Sequence, residues 1–164
     1  MSKIRTFLKV KIINKFMACY YSFLGYHIAP SAKISTKAHL DKTNPKGVHI
    51  GENTVITPGV HILTHDYIRG DGTFLDTYIG NNVFIGINSI IMAGVKIADN
   101  IIVGSGSIVT KDFLESYCTF AGNPAKVIKR NVEILNPNYT TDGVHLNEDG
   151  YHIVNKHLQY HITY

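Results

Sequence analysis

From residue 28 to residue 112 an aliphatic side chain recurs every six positions. Written in hexads, the chain reads IAPSAK, ISTKAH and LDKTNP, then IGENTV, ITPGVH and ILTHDY. It continues as IGNNVF, IGINSI and IMAGVK, then IADNII, VGSGSI and VTKD. The leading residues are Ile28, Ile34, Leu40, Ile50, Ile56, Ile62, Ile79, Ile85, Ile91, Ile97, Val103 and Val109. The second position is mostly small: Ala29, Ser35, Gly51, Gly80, Gly86, Ala98 and Gly104. The fifth is small or β-branched, as at Ala32, Ala38, Thr54, Val60, Val83, Ser89, Val95, Ile101 and Ser107. An α-helix would smear a six-residue repeat around its circumference, and one long strand would leave the small second position unexplained. Three short strands joined by tight turns explain both. The pattern predicts an all-β solenoid of triangular coils, eighteen residues per coil and about four coils. One aliphatic per hexad points inward, and the small residue turns the corner, where glycine tolerates unusual φ.

Two breaks interrupt the period. Four extra residues fall between Leu40 and Ile50, around Lys42–His49, and eleven between Ile62 and Ile79, around Ile68–Tyr78. In a solenoid an insertion leaves the stack as a loop and often carries function. The longer one, IRGDGTFLDTY, holds a turn-forming Gly-Asp-Gly and directly follows His65 and Asp66.

The ends follow other rules. In residues 3–24, Ile4, Phe7, Leu8, Ile12, Ile13, Phe16, Met17, Tyr20 and Leu24 recur at helical spacing, decorated by Lys3, Arg5, Lys9, Lys11 and Lys15. A basic amphipathic helical segment is expected over 1–26, the β-helix over 27–130 and a short C-terminal appendage over 131–164. The helix either packs its apolar face on the solenoid or lies on an anionic membrane surface through residues 1–24. The mixture of Ile, Val and Lys in the first 15 residues makes a poor leader peptide. The chain is therefore expected in the cytoplasm, with the inner face of the membrane as the one surface that helix would seek.

Composition sharpens this picture. The 164 residues are 45% hydrophobic and only 17% charged, enough apolar surface for one sizeable core. The 22 isoleucines favour strands. The net charge of +4 is concentrated at the start: residues 1–40 hold seven Lys or Arg and no acid. The remainder is slightly acidic, which argues against a nucleic-acid partner. Cys19 and Cys118 form no CxxC, so a disulfide scaffold and a cysteine zinc site are poor readings.

The order ILTHDY, projecting loop, IGNNVFIG, GSGSIVTKD and AGNPAKVIKR resembles the hexapeptide-repeat acyltransferases. The likeness is to the maltose and galactoside type and to the sugar acetyltransferases of capsule and lipopolysaccharide loci. It covers residues 28–130. It implies a left-handed parallel β-helix, a homotrimer with sites between neighbouring β-helices, acetyl-CoA as donor, direct transfer to a small-molecule or glycan acceptor, and no metal. The chemistry asks little of the protein. A thioester is already activated, so the enzyme must deprotonate the attacking hydroxyl, align two substrates and steady the developing oxyanion. An imidazole suits the first task near pH 7.

By this resemblance His65 is the general base. Asp66 either orients it, binds the acceptor or is a solvated carboxylate, since adjacent strand residues rarely point the same way. Asn44, in the Asn-Pro-Lys-Gly turn one coil earlier, is a candidate contact to the acceptor or the oxyanion, or a plain turn residue. His61 reads as structural. For the donor, the resemblance sets Ile87 and Ser105 along the pantetheine arm, one coil apart, and Thr110 and Lys111 near the adenine and phosphates. Lys126 of AGNPAK stands where relatives often carry Arg. Lys129 and Arg130 add charge beside it. Lysine would act there as a point charge rather than a bidentate fork.

Other readings remain beside this one: a serine O-acetyltransferase, an N-acetyltransferase of a nucleotide amino-sugar, or a non-catalytic β-helix scaffold. His49, His61 and His65 lack zinc-ligand spacing. The tail TTDGVHLNEDGYHIVNKHL resembles the last block of SGNH (GDSL-like) esterases, in which Asp-x-x-His completes a triad, here Asp142 and His145. Residues 1–130 hold no Gly-Asp-Ser block, and a triad without its serine is not a hydrolase.

Overall fold

The computed structural model describes residues 17, 20–68 and 73–130. Most of the basic N-terminal segment, the loop tip and the esterase-like Asp142 and His145 lie outside the described residues. The strands in chain order are β1 (His27–Ile28), β2 (Lys33–Ile34), β3 (His39–Leu40), β4 (Val48–Ile50), β5 (Val55–Ile56), β6 (His61–Ile62), β7 (His65–Asp66) and β8 (Thr73–Phe74). They continue with β9 (Thr77–Ile79), β10 (Phe84–Ile85), β11 (Ile90–Ile91), β12 (Lys96–Ile97), β13 (Ile102–Val103), β14 (Ile108–Val109), β15 (Cys118–Gly122) and β16 (Ala125–Arg130).

These strands build a left-handed parallel β-helix. One side is the parallel sheet β1-β4-β9-β12, a second is β2-β5-β10-β13 continued by β15 and β16, and a third is β3-β6-β11-β14. We call them sheets A, B and C. The leading residues stack as expected: Ile28, Ile50, Ile79 and Ile97 in sheet A; Ile34, Ile56, Ile85 and Val103 in B; Leu40, Ile62, Ile91 and Val109 in C. All are buried except Ile28 and Ile34 of the first coil, which are partly buried. Two phenylalanines extend the columns beyond the fourth coil. Phe113 bridges to Ile97, Phe120 pairs with Val103, and their rings stack at 3.7 Å. The hexad count misses this partial coil because Phe113 and Phe120 are seven residues apart. β16 then folds back antiparallel on β15.

The corners need a correction. The glycines at the second hexad position do not adopt left-handed φ; coils approach too closely there for a side chain. A Cβ on Gly86 would stand 2.5 Å from the Ser105 nitrogen, and one on Gly51 would stand 2.7 Å from Gly80 backbone. The left-handed residues occupy the fourth position: Asn53, Gly59, Asn82, Asn88, Gly94, Asn100 and Gly106. Only glycine and, at modest cost, asparagine visit that region routinely. The asparagines also form a ladder, Asn53 Nδ2 donating to Asn82 Oδ1 at 3.3 Å and Asn82 Nδ2 to Asn100 Oδ1 at 3.2 Å. Buried hydroxyls at the fifth position satisfy corner carbonyls, as Thr54 does with Gly80 O at 2.6 Å and Ser89 with Gly104 O at 2.9 Å.

Both register breaks leave the same corner, where sheet C passes to sheet A. The first closes as a 3-10 turn over Pro45–Gly47. The second begins as an antiparallel hairpin with His65 paired to Phe74 and Asp66 to Thr73, so both residues open its first strand. At the N-terminus residues 20–23 are helical. Tyr26 covers the first coil, its hydroxyl donating to the Asp41 carbonyl at 3.0 Å. No helix among the described residues is long and apolar enough to cross a membrane.

The close approach at the second position makes a direct forecast. Gly86→Ala forces a methyl against backbone rather than against a yielding side chain, so it costs about 1–3 kcal/mol. Thermal melts of the variant will show it; an unchanged melting temperature would mean that the corners can separate freely.

Candidate active site

The sheet C to sheet A corner gathers a set of polar side chains around His65. Leu40 lies over Ile62 in sheet C, so the residues that follow each strand are neighbours across coils. Asp41 follows Leu40 and is buried. Its Oδ1 accepts from the Thr43 N–H at 2.9 Å, and its Oδ2 accepts from the Thr64 N–H at 2.8 Å. Oδ2 also lies 2.5 Å from His65 Nδ1. Burial raises the Asp41 carboxyl, but the two backbone N–H groups and then His65 outweigh it and hold the group below its ordinary value. The carboxylate is thus ionised at neutral pH and only accepts, so Nδ1 carries a proton toward it, and in the neutral imidazole Nε2 is then the acceptor. The imidazole side chain is 21% exposed and meets the Tyr67 ring edge-on at 4.8 Å.

Asp41 is the residue that sequence reasoning missed. A carboxylate at the second hexad position, where small residues prevail, was the available signal. Asp66, considered for the orienting role, instead accepts from the Ile68 N–H at 2.8 Å within the hairpin. Asn44 belongs to the corner. Its amide donates to the Thr64 carbonyl at 3.1 Å, and its own carbonyl accepts from the Thr64 hydroxyl at 2.8 Å. It therefore braces the residue next to His65. His61 stacks on His39 at 4.5 Å on the outer face of sheet C, away from this network.

The donor candidates fall in three places. Ile87 and Ser105 sit at the sheet B to sheet C corner in successive coils, where Gly106 N donates to Ile87 O at 2.8 Å. Both are exposed. Sheet C therefore separates them from His65 within one chain. Thr110 and Lys111 are exposed and share His65's corner, two coils further on. Lys126 is exposed and Lys129 half-buried on β16. Arg130 pairs with Glu115 at 2.8 Å, so its charge is already engaged.

Asp41→Asn keeps the shape and removes the charge. A carboxyl held below its ordinary value, 3.8 for aspartate, adds stability that is complete above that value. That stability is lost as pH falls through the lower folded-state value. At pH 7 the variant should be about 1–3 kcal/mol less stable. The gap should close as melts are taken from pH 7 down past 3.8. A gap that stays constant would show that the charge of Asp41 does not hold the corner.

Known proteins carry the same architecture. Residues 76–111 match the family described as bacterial transferase hexapeptide (six repeats). Protein CapG of Staphylococcus aureus is 41% identical over 70% of this chain and 73% of its own length. Galactoside O-acetyltransferase of Escherichia coli K12 is 35% identical over 67% of this chain and 57% of its own. The solved structure of NeuO, a polySia-specific acetyltransferase, is 29% identical. It superposes with a TM-score of 0.56 over 81% of this chain and 62% of that one. The chain spans 66%, 28% and 57% of the length of the first curated relatives it matches. With its coils, corners and columns in place, the chain belongs to the bacterial hexapeptide transferase family.

Proposed function

We propose that the protein is an acetyl-CoA-dependent O-acetyltransferase acting on a hydroxyl of a sugar or glycan. The observation that carries this reading is the buried Asp41 carboxylate 2.5 Å from His65 Nδ1, at the head of the hairpin. The names of the galactoside and polySia relatives support the acceptor class.

In this reading Asp41 fixes the His65 tautomer and ring orientation. His65 Nε2 takes the proton of the acceptor hydroxyl as its oxygen attacks the acetyl carbonyl, and returns it to the departing sulfur. Acetyl-CoA supplies the activated thioester. Asn44 holds the strand that carries His65 and so acts as a positioning residue. Ile87 and Ser105 line the pantetheine arm, while Thr110, Lys111, Lys126 and Lys129 face the nucleotide end. The separation of Ile87 and Ser105 from His65 within one chain supports a homotrimer, in which the donor groove of one protomer meets the base of its neighbour. The domain division into 1–26, 27–130 and 131–164 is part of the same proposal, as is peripheral contact of residues 1–24 with a membrane.

His65→Ala should lower acetyl transfer by about 10²–10⁴-fold, the usual cost of losing a general base. It should still sediment at three times 18.3 kDa. Thiol release with acetyl-CoA and a sugar panel measures the first, and analytical ultracentrifugation the second. A variant retaining more than about a tenth of the rate would remove His65 from the base role.

Lys111→Ala and Lys126→Ala should each weaken acetyl-CoA binding, and wild-type affinity should fall as salt rises. Exposed cations facing phosphates are screened within about 10 Å at 0.1 M salt. Titration calorimetry checks both; affinity that ignores salt and substitution alike would return these lysines to the solvated surface.

A further inference from the structure

We propose that Asp76 is an acceptor-specificity residue: its free carboxylate oxygen takes a hydrogen bond from a second hydroxyl of a polyhydroxylated acceptor whose reacting hydroxyl lies at His65. The proposal rests on the transfer reaction above and adds to it the group that reads the sugar.

Asp76 directly precedes β9, at the returning end of the hairpin that His65 opens. Its side chain is half exposed. Oδ2 is occupied: it accepts from the Tyr78 hydroxyl at 3.2 Å and stands 3.5 Å from His49 Nε2. Oδ1 has no partner among the described residues. It lies beside Gly47, 3.1 Å from where a side chain on that residue would begin. The same point lies 3.1 Å from Thr64 Cβ and closer still to the Asn44 amide. Glycine at 47 thus lets three elements converge: the carboxylate of Asp76, the amide of Asn44, and the residue that precedes His65.

The partners of Asp76 are themselves fixed. On the outer face of sheet A, His49 is stacked between His27 at 4.7 Å and Tyr78 at 4.2 Å, and Lys96 Nζ lies 5.7 Å from the Tyr78 ring centre. Tyr78 cannot swing without breaking that column, so its hydroxyl presents Asp76 in one orientation. His49 Nε2 is buried without a hydrogen bond. Burial, and then His27, hold His49 below the usual imidazole value against the pull of Asp76. At pH 7 Asp76 therefore faces a neutral ring, and its charge is not spent on an ion pair.

A held, half-exposed carboxyl group with one free oxygen recognises hydrogen-bond donors. A hydroxyl-rich ring supplies two donors a few ångströms apart, one for His65 and one for Asp76. An acceptor bearing a single hydroxyl fills only the first.

The test compares wild type, Asp76→Asn and Tyr78→Phe. Thiol release is followed with acetyl-CoA and, as probes, galactose, maltose, N-acetylglucosamine, N-acetylgalactosamine and N-acetylneuraminate. Monodeoxy analogues of the best of these are then added. For Asp76→Asn the acceptor KM should rise about tenfold or more, the size expected when a hydrogen bond to a charged group is lost. The acetyl-CoA KM and the melting temperature should not move. Wild type should discriminate against one deoxy analogue that Asp76→Asn accepts as readily as the parent sugar, which loss of structure alone would not produce. Tyr78→Phe keeps the stack and should give a smaller rise in the same KM, and it carries the test if Asp76→Asn fails to fold. An unchanged acceptor KM in the folded variants, with His65→Ala inactive, overturns the role of Asp76 and leaves the transfer reaction standing. Wild-type turnover of none of these sugars overturns the acceptor class, and the assignment of Asp76 with it.

Discussion

Each strand of the solenoid hydrogen-bonds to the same side of the coil before it, so the three inward columns must stay in register. An extra residue inside a strand would turn a column residue out to solvent. Insertions are therefore confined to corners. Here both fall at the corner where sheet C passes to sheet A, in successive coils, after Leu40 and after Ile62. The stacking of those two side chains brings Asp41 to His65 across 24 residues of sequence. The Asp41–His65 pair is a consequence of the register, since neither hairpin nor turn would place it unaided.

That dependence explains what could be read from the sequence. The columns are hydrophobic, periodic and redundant, so twelve aliphatic leads named three sheets. The corners are set by smaller effects. From Asn53 to Gly106 the fourth hexad position is Asn or Gly because it takes left-handed φ, except at His65 where the second break begins, while the second is mostly small because neighbouring backbones meet there. Two distinct constraints fall in one short turn, and a pattern of small residues alone does not separate them. Phe113 and Phe120 escaped for a related reason. They fill the same columns as Ile97 and Val103, but with a spacing of seven.

The candidate site was legible where chemistry sits in a motif and illegible where it sits in a contact. His65 is marked by the broken period and by the residues around it. Its partner is not marked by adjacency: Asp66 is next in sequence, yet it closes a local turn with Ile68, while Asp41 arrives from the coil before. Asn44 looked like an ordinary turn residue and proves to grip Thr64 through two hydrogen bonds. Asp76 carried no signal in the sequence, because its surroundings combine Tyr78 on its own pass with Gly47 and His49 on the coil before.

Both signs of charge occur at this corner along the axis: Lys42 and Lys46 follow Asp41 in the first insertion, and Asp112 follows Lys111 in the last coil. What sets the coils apart there is burial. Asp41 is buried and held by two backbone N–H groups, whereas Lys111 is exposed. A buried carboxylate must be matched by hydrogen-bond donors, and the two breaks supply them by turning the Thr43 and Thr64 N–H groups onto Asp41. In a fold whose every coil repeats the last, it is a buried carboxylate and not a gradient of surface charge that distinguishes one corner from the others.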